Sequence, residues 1–448
     1  MKRKIGLWQI QASLLLSLAI LGGCSHSLSV SPTTNALTPS PTATASTPLP
    51  TPTATTIVPN TTTFTVPQAD DILSGNLYGN CKSPEGTNVF FSPFSIITAL
   101  AMAQEGAAGN TATQMQNVLN LNSNAAIRQQ GFQQLINQIN SASGNYTLDT
   151  ADNLWIQQGF SILPSYINTV QTYYDAGVTN VNFVGNPSGA VSTIDGAVSQ
   201  ETAGFIPNLL TTSDISVQIR LVLTNAIYFQ SDWQNQFVTT GADQTSQQLF
   251  YLTPSTTETV SMMHVTFPAV LGNFNGAASV LAIPYKNNGA SMYVFLPTSG
   301  ISSLESVMTG SNLNAWLAAN AANLTATPMG INSPQVALSF PKFTFSTSYE
   351  LSSILSQMGM PLPFSLQANF SGIDGQMDLS ISKVIHQAYV SVSEVGTTAA
   401  AATGVVVGIF SVVSTPIATP FVVNQPFIFA IVDNTSNTVL FMGRVCAP

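Results

Sequence analysis

The sequence from Glu394 to Ser411 is Glu-Val-Gly-Thr-Thr-Ala-Ala-Ala-Ala-Thr-Gly-Val-Val-Val-Gly-Ile-Phe-Ser. Its first half consists of small residues and its second half is rich in β-branched ones. No charged residue follows Glu394 until Asp433. A long uncharged segment that stayed exposed would tend to pair with other chains. The segment is therefore buried, spans a membrane, or is held outside the fold and buried later.

A membrane-spanning helix is one interpretation of this segment. Residues 395–413 are long enough, because roughly 20 apolar residues cross a bilayer. Gly404 and Gly408 also have the spacing of a helix-packing motif. However, no Lys or Arg lies near either end to orient such a helix, and Pro416 and Pro420 follow closely. These features weigh against a span.

The other interpretation is a strand that has not yet joined a sheet. Every second side chain of a strand lies on one face. The face that starts at Thr397 has no charged residue and begins with four small ones: Thr397, Ala399, Ala401, Thr403, Val405, Val407 and Ile409. Nothing on this face would prevent burial inside a sheet. The alanines weaken the intrinsic strand preference, so packing would have to drive insertion.

Four separated motifs resemble blocks of the serpin family. Residues 394–403 resemble the hinge of an inhibitory serpin, and residues 421–431 resemble the C-terminal signature of the family. Residues 88–95 and residues 223–229, with Trp233 after them, are similar to two further blocks. The similarity covers the chain from about residue 70 onward. It implies an α+β serpin fold with three β-sheets, about nine helices and an exposed reactive-centre loop.

The order of the predicted elements independently favours the α+β class, because helices come first and strands follow. Helices are predicted at 71–79, from the Ser92-Pro93 cap to about 106, at 111–119 from a capping box that starts at Thr111, and at 132–139. Strands are predicted at 148–156, 220–229, 280–285, 292–297, 335–345, 427–432 and 439–445, the last two joined by a hairpin.

The N-terminus has the pattern of a secretory signal. Three basic residues at positions 2–4 precede an apolar stretch at 14–21, and Leu21-Gly-Gly-Cys24 follows. We therefore predict a signal peptide at 1–23. Leu21–Cys24 resembles a bacterial lipobox, which implies that Cys24 carries a lipid, and a plain signal peptide is the alternative. The Ser/Thr/Pro-rich residues of 24–66 are predicted to form a tether, and 67–448 the serpin domain.

Charge and motifs exclude several classes of function. The chain after residue 23 has seven basic and 19 acidic residues, a net charge of −12, so nucleic acid and heparin-like polyanions are not expected as partners. Membrane contact is expected only through the lipid.

Ser380–Lys383 matches a β-lactamase Ser-x-x-Lys pattern, but the other β-lactamase motifs are missing. No zinc motif is present, and neither a metal nor another cofactor is expected. Cys81 and Cys446 remain as a possible disulfide in an oxidising exterior.

The resemblance assigns roles to two polar groups. Ser92, Ser95, Asn225 and His386 match the shutter of the family, a polar latch beneath the central sheet, although His386 alone would suit an ordinary core histidine. Lys342 and Glu394 match an ion pair at the breach, where the sheet opens, and Trp233 matches the breach tryptophan. Each of these three could also be an ordinary surface or core residue.

The resemblance also places the scissile bond. It lies fourteen residues after the hinge glycine Gly396, between Phe410 and Ser411. The chain from Phe410 to the C-terminal signature is about five residues longer than is usual in the family, so bonds after Ile409 and Thr415 are alternatives. An aromatic residue before the bond suits the apolar pocket of a chymotrypsin-like protease.

The expected function is inhibition of a serine protease by suicide trapping, without catalysis by the inhibitor itself. The chain is expected to be a monomer, secreted or lipid-anchored on the outer face of a bacterial cell membrane. Two alternatives remain. One is a non-inhibitory serpin that acts as a surface binding protein, although such members tend to have charged or bulky hinge residues. The other is an inhibitor of papain-like cysteine proteases.

Overall fold

The structure, a computed structural model, describes residues 63–82, 86–142, 144–216, 218–326, 328, 332–397 and 417–448. The chain divides into two units, Met1–Thr55 and Thr56–Pro448, and the first lies wholly outside the described residues. The predicted signal peptide, Cys24 and nearly all of the tether therefore stay predictions. The first helix begins at Val66, one residue before the predicted start of the domain.

The described residues form ten α-helices, close to the nine expected. They are α1 Val66–Cys81, α2 Pro93–Gly106, α3 Gly109–Leu119, α4 Ala125–Ser141, α5 Pro164–Tyr174, α6 Pro187–Glu201, α7 Ile301–Val307, α8 Gly310–Thr325, α9 Ser352–Gln357 and α10 Ser371–Asp374.

Helix starts follow the capping chemistry only in part. A capping box between Thr65 and Gln68 starts α1 five residues before the predicted helix. The Ser92 hydroxyl accepts the Ser95 amide at 3.2 Å and starts α2, as predicted. The capping box predicted at Thr111 is wrong. Thr111 lies inside α3, and its hydroxyl oxygen accepts the Asn369 amide at 2.9 Å, so a tertiary contact has taken the group that the pattern assigned to a cap.

The described residues also form three β-sheets. The strands are β1 Val89–Phe91, β2 Thr147–Gln157, β3 Gly177–Val181, β4 Leu221–Asp232, β5 Ser246–Thr253, β6 Thr256–Pro268, β7 Gly272–Phe274, β8 Ala278–Pro284, β9 Ala290–Pro297, β10 Gln335–Pro341, β11 Phe343–Glu350, β12 Ile381–Val392, β13 Gly396–Thr397, β14 Thr419–Val422, β15 Phe427–Asp433 and β16 Val439–Val445. The central sheet has the order β11-β12-β13-β4-β2-β3, the second sheet β1-β16-β15-β9-β8-β7 and the third sheet β14-β10-β6-β5. The predicted α+β architecture with three sheets is confirmed.

Strand β4 separates two apolar cores. Leu221, Leu223 and Ile227 belong to the main core, whereas Val222 and Ala226 lie in a smaller core on the other face of the sheet. This alternation is what the two-residue period of a strand requires. A strand that is covered on both faces needs apolar residues at nearly every position, which explains the continuous apolar run in the sequence.

The central sheet changes its pairing along β4. From Leu221 to Ile227, β4 pairs directly and in parallel with β12. At the end of β4, the two-residue strand β13 stands between them and pairs antiparallel with both. The two long strands therefore form a seam that is closed along most of its length and already parted at one end.

No helix among the described residues is long and apolar enough to cross a membrane. The uncharged segment that raised this possibility lies outside the described residues from Thr398 to Pro416, and only its first residues are placed.

The predicted disulfide is absent. Cys81 ends α1, Cys446 follows β16, both thiols are buried, and no disulfide joins them. Burial raises the pKa of the Cys81 thiol to about 12. The thiolate is the form that reacts in disulfide chemistry, so burial keeps Cys81 in its unreactive form even where the surroundings are oxidising.

Candidate functional site: the parted end of the central sheet

Strand β13 places the start of the uncharged segment inside the sheet. Thr397 pairs with Val392 on β12 and with Ser231 on β4, and it is only 1% exposed. Its hydroxyl shares a 2.6 Å hydrogen bond with the buried Tyr285 hydroxyl. The sequence predicted that Thr397 would face inward on insertion. In the structure it already does so, and its partner Tyr285 was not predicted.

Gly396 is required by the close approach of β13 to β4. A Cβ atom at this position would lie 2.1 Å from the carbonyl oxygen of Ser231, much closer than any real contact. A glycine in a strand often marks such a backbone contact. The glycine of the hinge motif is thus explained by packing as well as by resemblance.

Trp233 holds the chain just before β13. Its indole Nε1 donates to the Ser393 carbonyl at 2.9 Å, and its backbone amide donates to the Val395 carbonyl at 2.8 Å. The ring stacks on Tyr285, with centroids 4.4 Å apart. The Phe237 amide donates to the Glu394 carbonyl at 3.0 Å. The entry to the parted end is therefore a fixed turn, lined by aromatic rings.

Lys342 and Glu394 form an ion pair beside this turn, with Nζ 2.9 Å from Oε2. The Thr245 hydroxyl also donates to Glu394 Oε1 at 2.7 Å. Burial alone would raise the pKa of Glu394, but the bonds from Lys342 and Thr245 outweigh it and hold the pKa below its ordinary value. The Lys342 side chain is 39% exposed, so the pair contributes more to local geometry than to stability.

The four predicted shutter residues lie together beneath the closed part of the seam. The Ser92 amide donates to His386 Nε2 at 3.0 Å, and His386 Nδ1 contacts Asn225 Oδ1. The Asn225 amide nitrogen contacts Ser95 Oγ, and Ser92 Oγ donates to the Leu440 carbonyl at 2.6 Å. All four residues are fully buried. Asn225 and His386 are opposite each other in the register of β4 and β12, so their contact crosses the seam.

The hydrogen bonds fix the state of His386. A backbone amide always donates, so Nε2 accepts and Nδ1 carries the proton. Burial lowers the pKa of the imidazole to about 3, so the ring is neutral at physiological pH. A second proton on Nε2 would place the imidazole N–H against the backbone N–H of Ser92, and the hydrogen bond between them would be lost.

A fifth polar residue completes this cluster and was missed from the sequence. Asp152 on β2 accepts from Ser95 Oγ at 3.0 Å and from the Asn225 amide through the same oxygen, Oδ1. The sequence signal for this residue was an acidic side chain inside a predicted strand. That signal alone does not identify a partner, because the contact with Asn225 depends on the register of β2 against β4.

Other predicted site residues lie outside the described part of the chain. These are the lipid site, most of the hinge face and the reactive bond with its alternatives: Cys24, Ala399, Ala401, Thr403, Ile409, Phe410, Ser411 and Thr415.

Comparison with known proteins identifies the family of this chain. The sequence model of the serpin (serine protease inhibitor) family matches residues 68–448. The chain belongs to the serpin family. An uncharacterised serpin-like protein of the archaeon Methanosarcina acetivorans is 35% identical over 390 residues, which cover 86% of this chain and 88% of the relative. The leukocyte elastase inhibitor of Bos taurus is 35% identical over 373 residues, 82% of this serpin and 94% of the relative.

Solved serpin structures share the fold. Serpin48 of the insect Tenebrio molitor superposes with a TM-score of 0.73 at 26% identity, covering 86% of this serpin and 98% of the other chain. Serpins as a family are protease inhibitors rather than catalysts, and some of them do not inhibit. In this serpin, the short strand β13 stands between the two strands of the seam at one end.

Proposed function

We propose that this serpin inhibits chymotrypsin-like serine proteases by trapping them as an acyl-enzyme while its reactive loop enters the central sheet. One observation carries the proposal. Gly396 and Thr397 already stand between β4 and β12 and pair antiparallel with both. The residues after Thr397 are small and uncharged, so nothing in their sequence opposes burial between β4 and β12 once these strands separate.

The covalent step uses the chemistry of the protease. The protease serine oxygen attacks the carbonyl carbon of Phe410, an ester forms, the Phe410–Ser411 amide bond breaks, and the new amino group of Ser411 takes up a proton. Cutting this bond frees the segment from Thr398 to Phe410 from its downstream anchor at β14. The attached protease is then drawn along as the segment inserts, which distorts its active site before water hydrolyses the ester.

The closed seam supplies the driving force for insertion. Parallel pairing between β4 and β12 is exchanged for antiparallel pairing of both strands with the inserted one, and antiparallel ladders are the more stable kind. Each added hydrogen bond contributes roughly 0.5–1.5 kcal/mol. Burial of the valine side chains adds roughly 25 cal/mol per Å². Loop insertion of this kind is a known type of strain-releasing switch.

Incubation with chymotrypsin tests the function. We expect a covalent complex that survives boiling in detergent and runs on a gel near the sum of the two masses, together with loss of protease activity. Cleavage without a complex would mean a substrate-like, non-inhibitory serpin. A complex with papain but none with chymotrypsin would replace the proposed target class.

We also propose that the mature protein is extracellular and held at the outer face of a bacterial membrane by a lipid on Cys24. The support is the lipobox-like Leu21–Cys24 and the polar tether that follows it. Cys24→Ala should move the protein from the membrane fraction to the soluble fraction. Wild-type protein that is already soluble, or a variant that stays with the membrane, would contradict the anchor.

A further inference from the structure

A single chain of hydrogen bonds runs through the latch and crosses the seam. The Ser92 amide donates to His386 Nε2, which leaves the His386 Nδ1–H to donate to Asn225 Oδ1. The Asn225 amide group must then donate with its nitrogen, and it contacts Asp152 Oδ1 and Ser95 Oγ. Ser95 Oγ donates to the same Asp152 oxygen. Every donor therefore points along the chain toward Asp152.

Asp152 is the group that terminates this chain and fixes its direction. Asp152 Oδ1 accepts both bonds whether the carboxyl is ionised or carries its proton on Oδ2, so the Asn225 amide that faces it is held with its oxygen toward His386. Rotating that amide by half a turn would put a nitrogen against the Nδ1–H of His386 and an oxygen against the carboxylate. The contact that closes the seam thus depends on a residue two strands away from β12.

We propose that Asp152 is a positioning residue of the latch and that its ionisation makes separation of β4 from β12 easier. The role of Asp152 as a regulator of insertion rests on the function proposed above. Its role as a latch residue can be measured without any protease.

A polar cavity of about 290 Å³ gives Asp152 a route for protons. Its wall includes Thr150 and Asn153 of β2, Asp175 at the end of α5, and Glu201 at the end of α6. Asp152 lines this cavity on one side and contacts the latch on the other. The carboxyl can therefore exchange protons with solvent while the seam stays closed.

The charged groups around Asp152 are mostly acidic. Glu201 at the end of α6 raises its pKa further, and Tyr174 and Asp175 at the end of α5 line the same cavity. Asp149 lies on the same strand, β2, and neutral His386 is the titratable group on the β12 side. No Lys or Arg is among the described residues that line the cavity. Among the described residues that line the cavity, the charge of an ionised Asp152 is therefore offset by no cation, and the bonds from Ser95 and Asn225 are what stabilise it.

The sign of the pH effect follows from these surroundings. Burial raises the pKa of the Asp152 carboxyl to about 7, against the bonds from Ser95 and Asn225. The closed sheet therefore holds its proton up to near neutral pH, whereas an opened and hydrated sheet releases it at lower pH. The state that binds fewer protons becomes more populated as pH rises. Between pH 6 and pH 8, the opening equilibrium should increase about tenfold if hydration returns the carboxyl toward its ordinary pKa.

Hydrogen exchange of the seam amides in the full-length protein is the direct test. In the wild type, exchange at β4 and β12 should rise about tenfold from pH 6 to pH 8 after correction for intrinsic exchange rates. Asp152→Asn keeps an accepting oxygen and removes the charge, so the pH dependence should vanish. Asp175→Asn makes the same chemical change in the same cavity away from the latch. It should behave as the wild type.

A second variant covers the case in which the first is uninformative. Asp152→Ala removes the acceptor and leaves Asn225 and Ser95 without it, so seam exchange should be fast at both pH values. Seam exchange in Asp152→Asn that keeps the wild-type pH dependence, or in Asp152→Ala that stays slow, would overturn the proposal. These outcomes need no protease. A failure to trap chymotrypsin would therefore reject the proposed function, whereas the role of Asp152 in the latch would be decided by the exchange measurement alone.

Discussion

Thr397→Arg should turn the inhibitor into a substrate of its target protease. Thr397 is 1% exposed and its hydroxyl bonds to Tyr285, so an arginine here would place an unpaired charge in a closed polar contact. Because Thr397 is already inserted, an arginine would expel β13 from the sheet, and returning residue 397 to the sheet would become the first step of insertion, before later residues have gained any burial. Each 1.4 kcal/mol lost at that step slows insertion tenfold relative to ester hydrolysis. The stoichiometry of inhibition should therefore rise by about tenfold or more.

The cleavage site, the released protease activity and the melting temperature of the cleaved form distinguish a substrate from an inhibitor. The variant should be cut at the same bond as the wild type and should release active protease. Its cleaved form should lack the large rise in melting temperature that we expect when the wild-type loop becomes a strand. Thr397→Ser keeps the hydroxyl for Tyr285 and should inhibit normally. Thr398→Arg, which alternation places on the other face, should do far less damage.

The mechanism fails if Thr397→Arg traps protease as efficiently as the wild type. In that case, the segment after β13 would not be the strand that moves. A general folding defect would be recognised by a low melting temperature in the uncleaved protein. Thr397→Val, which removes the hydroxyl without adding a charge, then separates the effect of charge from that of the lost hydrogen bond.

Phe410→Arg should transfer inhibition from chymotrypsin-like to trypsin-like proteases. The specificity pocket of the protease binds the side chain before the cut bond, and an arginine has no partner in an apolar pocket but pairs with the aspartate in a trypsin-like one. The rate of complex formation with chymotrypsin should fall roughly a hundredfold or more, and that with trypsin should rise. Phe410→Tyr, which keeps the ring, serves as the matched control.

The released C-terminal fragment identifies the bond independently. Its sequence should begin at Ser411. A fragment that begins at Phe410 would place the cut after Ile409, and one that begins at Pro416 would place it after Thr415. Either result would assign the specificity to another residue and would connect it with the longer segment before β14.

Local signals in the sequence determined much of this protein. Ser92-Pro93 predicted the start of α2, and the apolar run of β4 predicted a strand covered on both faces. The alternation that starts at Thr397 predicted that this residue faces inward, and Thr397 is buried. These features depend on residues a few positions apart, whose capping, turn and strand preferences act before any tertiary contact forms.

Only the tertiary structure decided how distant polar groups meet. Asp152 joined the latch because β2 pairs in a particular register with β4, and Tyr285 met Thr397 across 112 positions of sequence. The Thr111 hydroxyl accepts the Asn369 amide rather than capping a helix, and no disulfide joins the buried Cys81 and Cys446. A polar side chain bonds to whichever group the packed strands bring within about 3 Å, and that choice depends on the register and twist of the whole sheet.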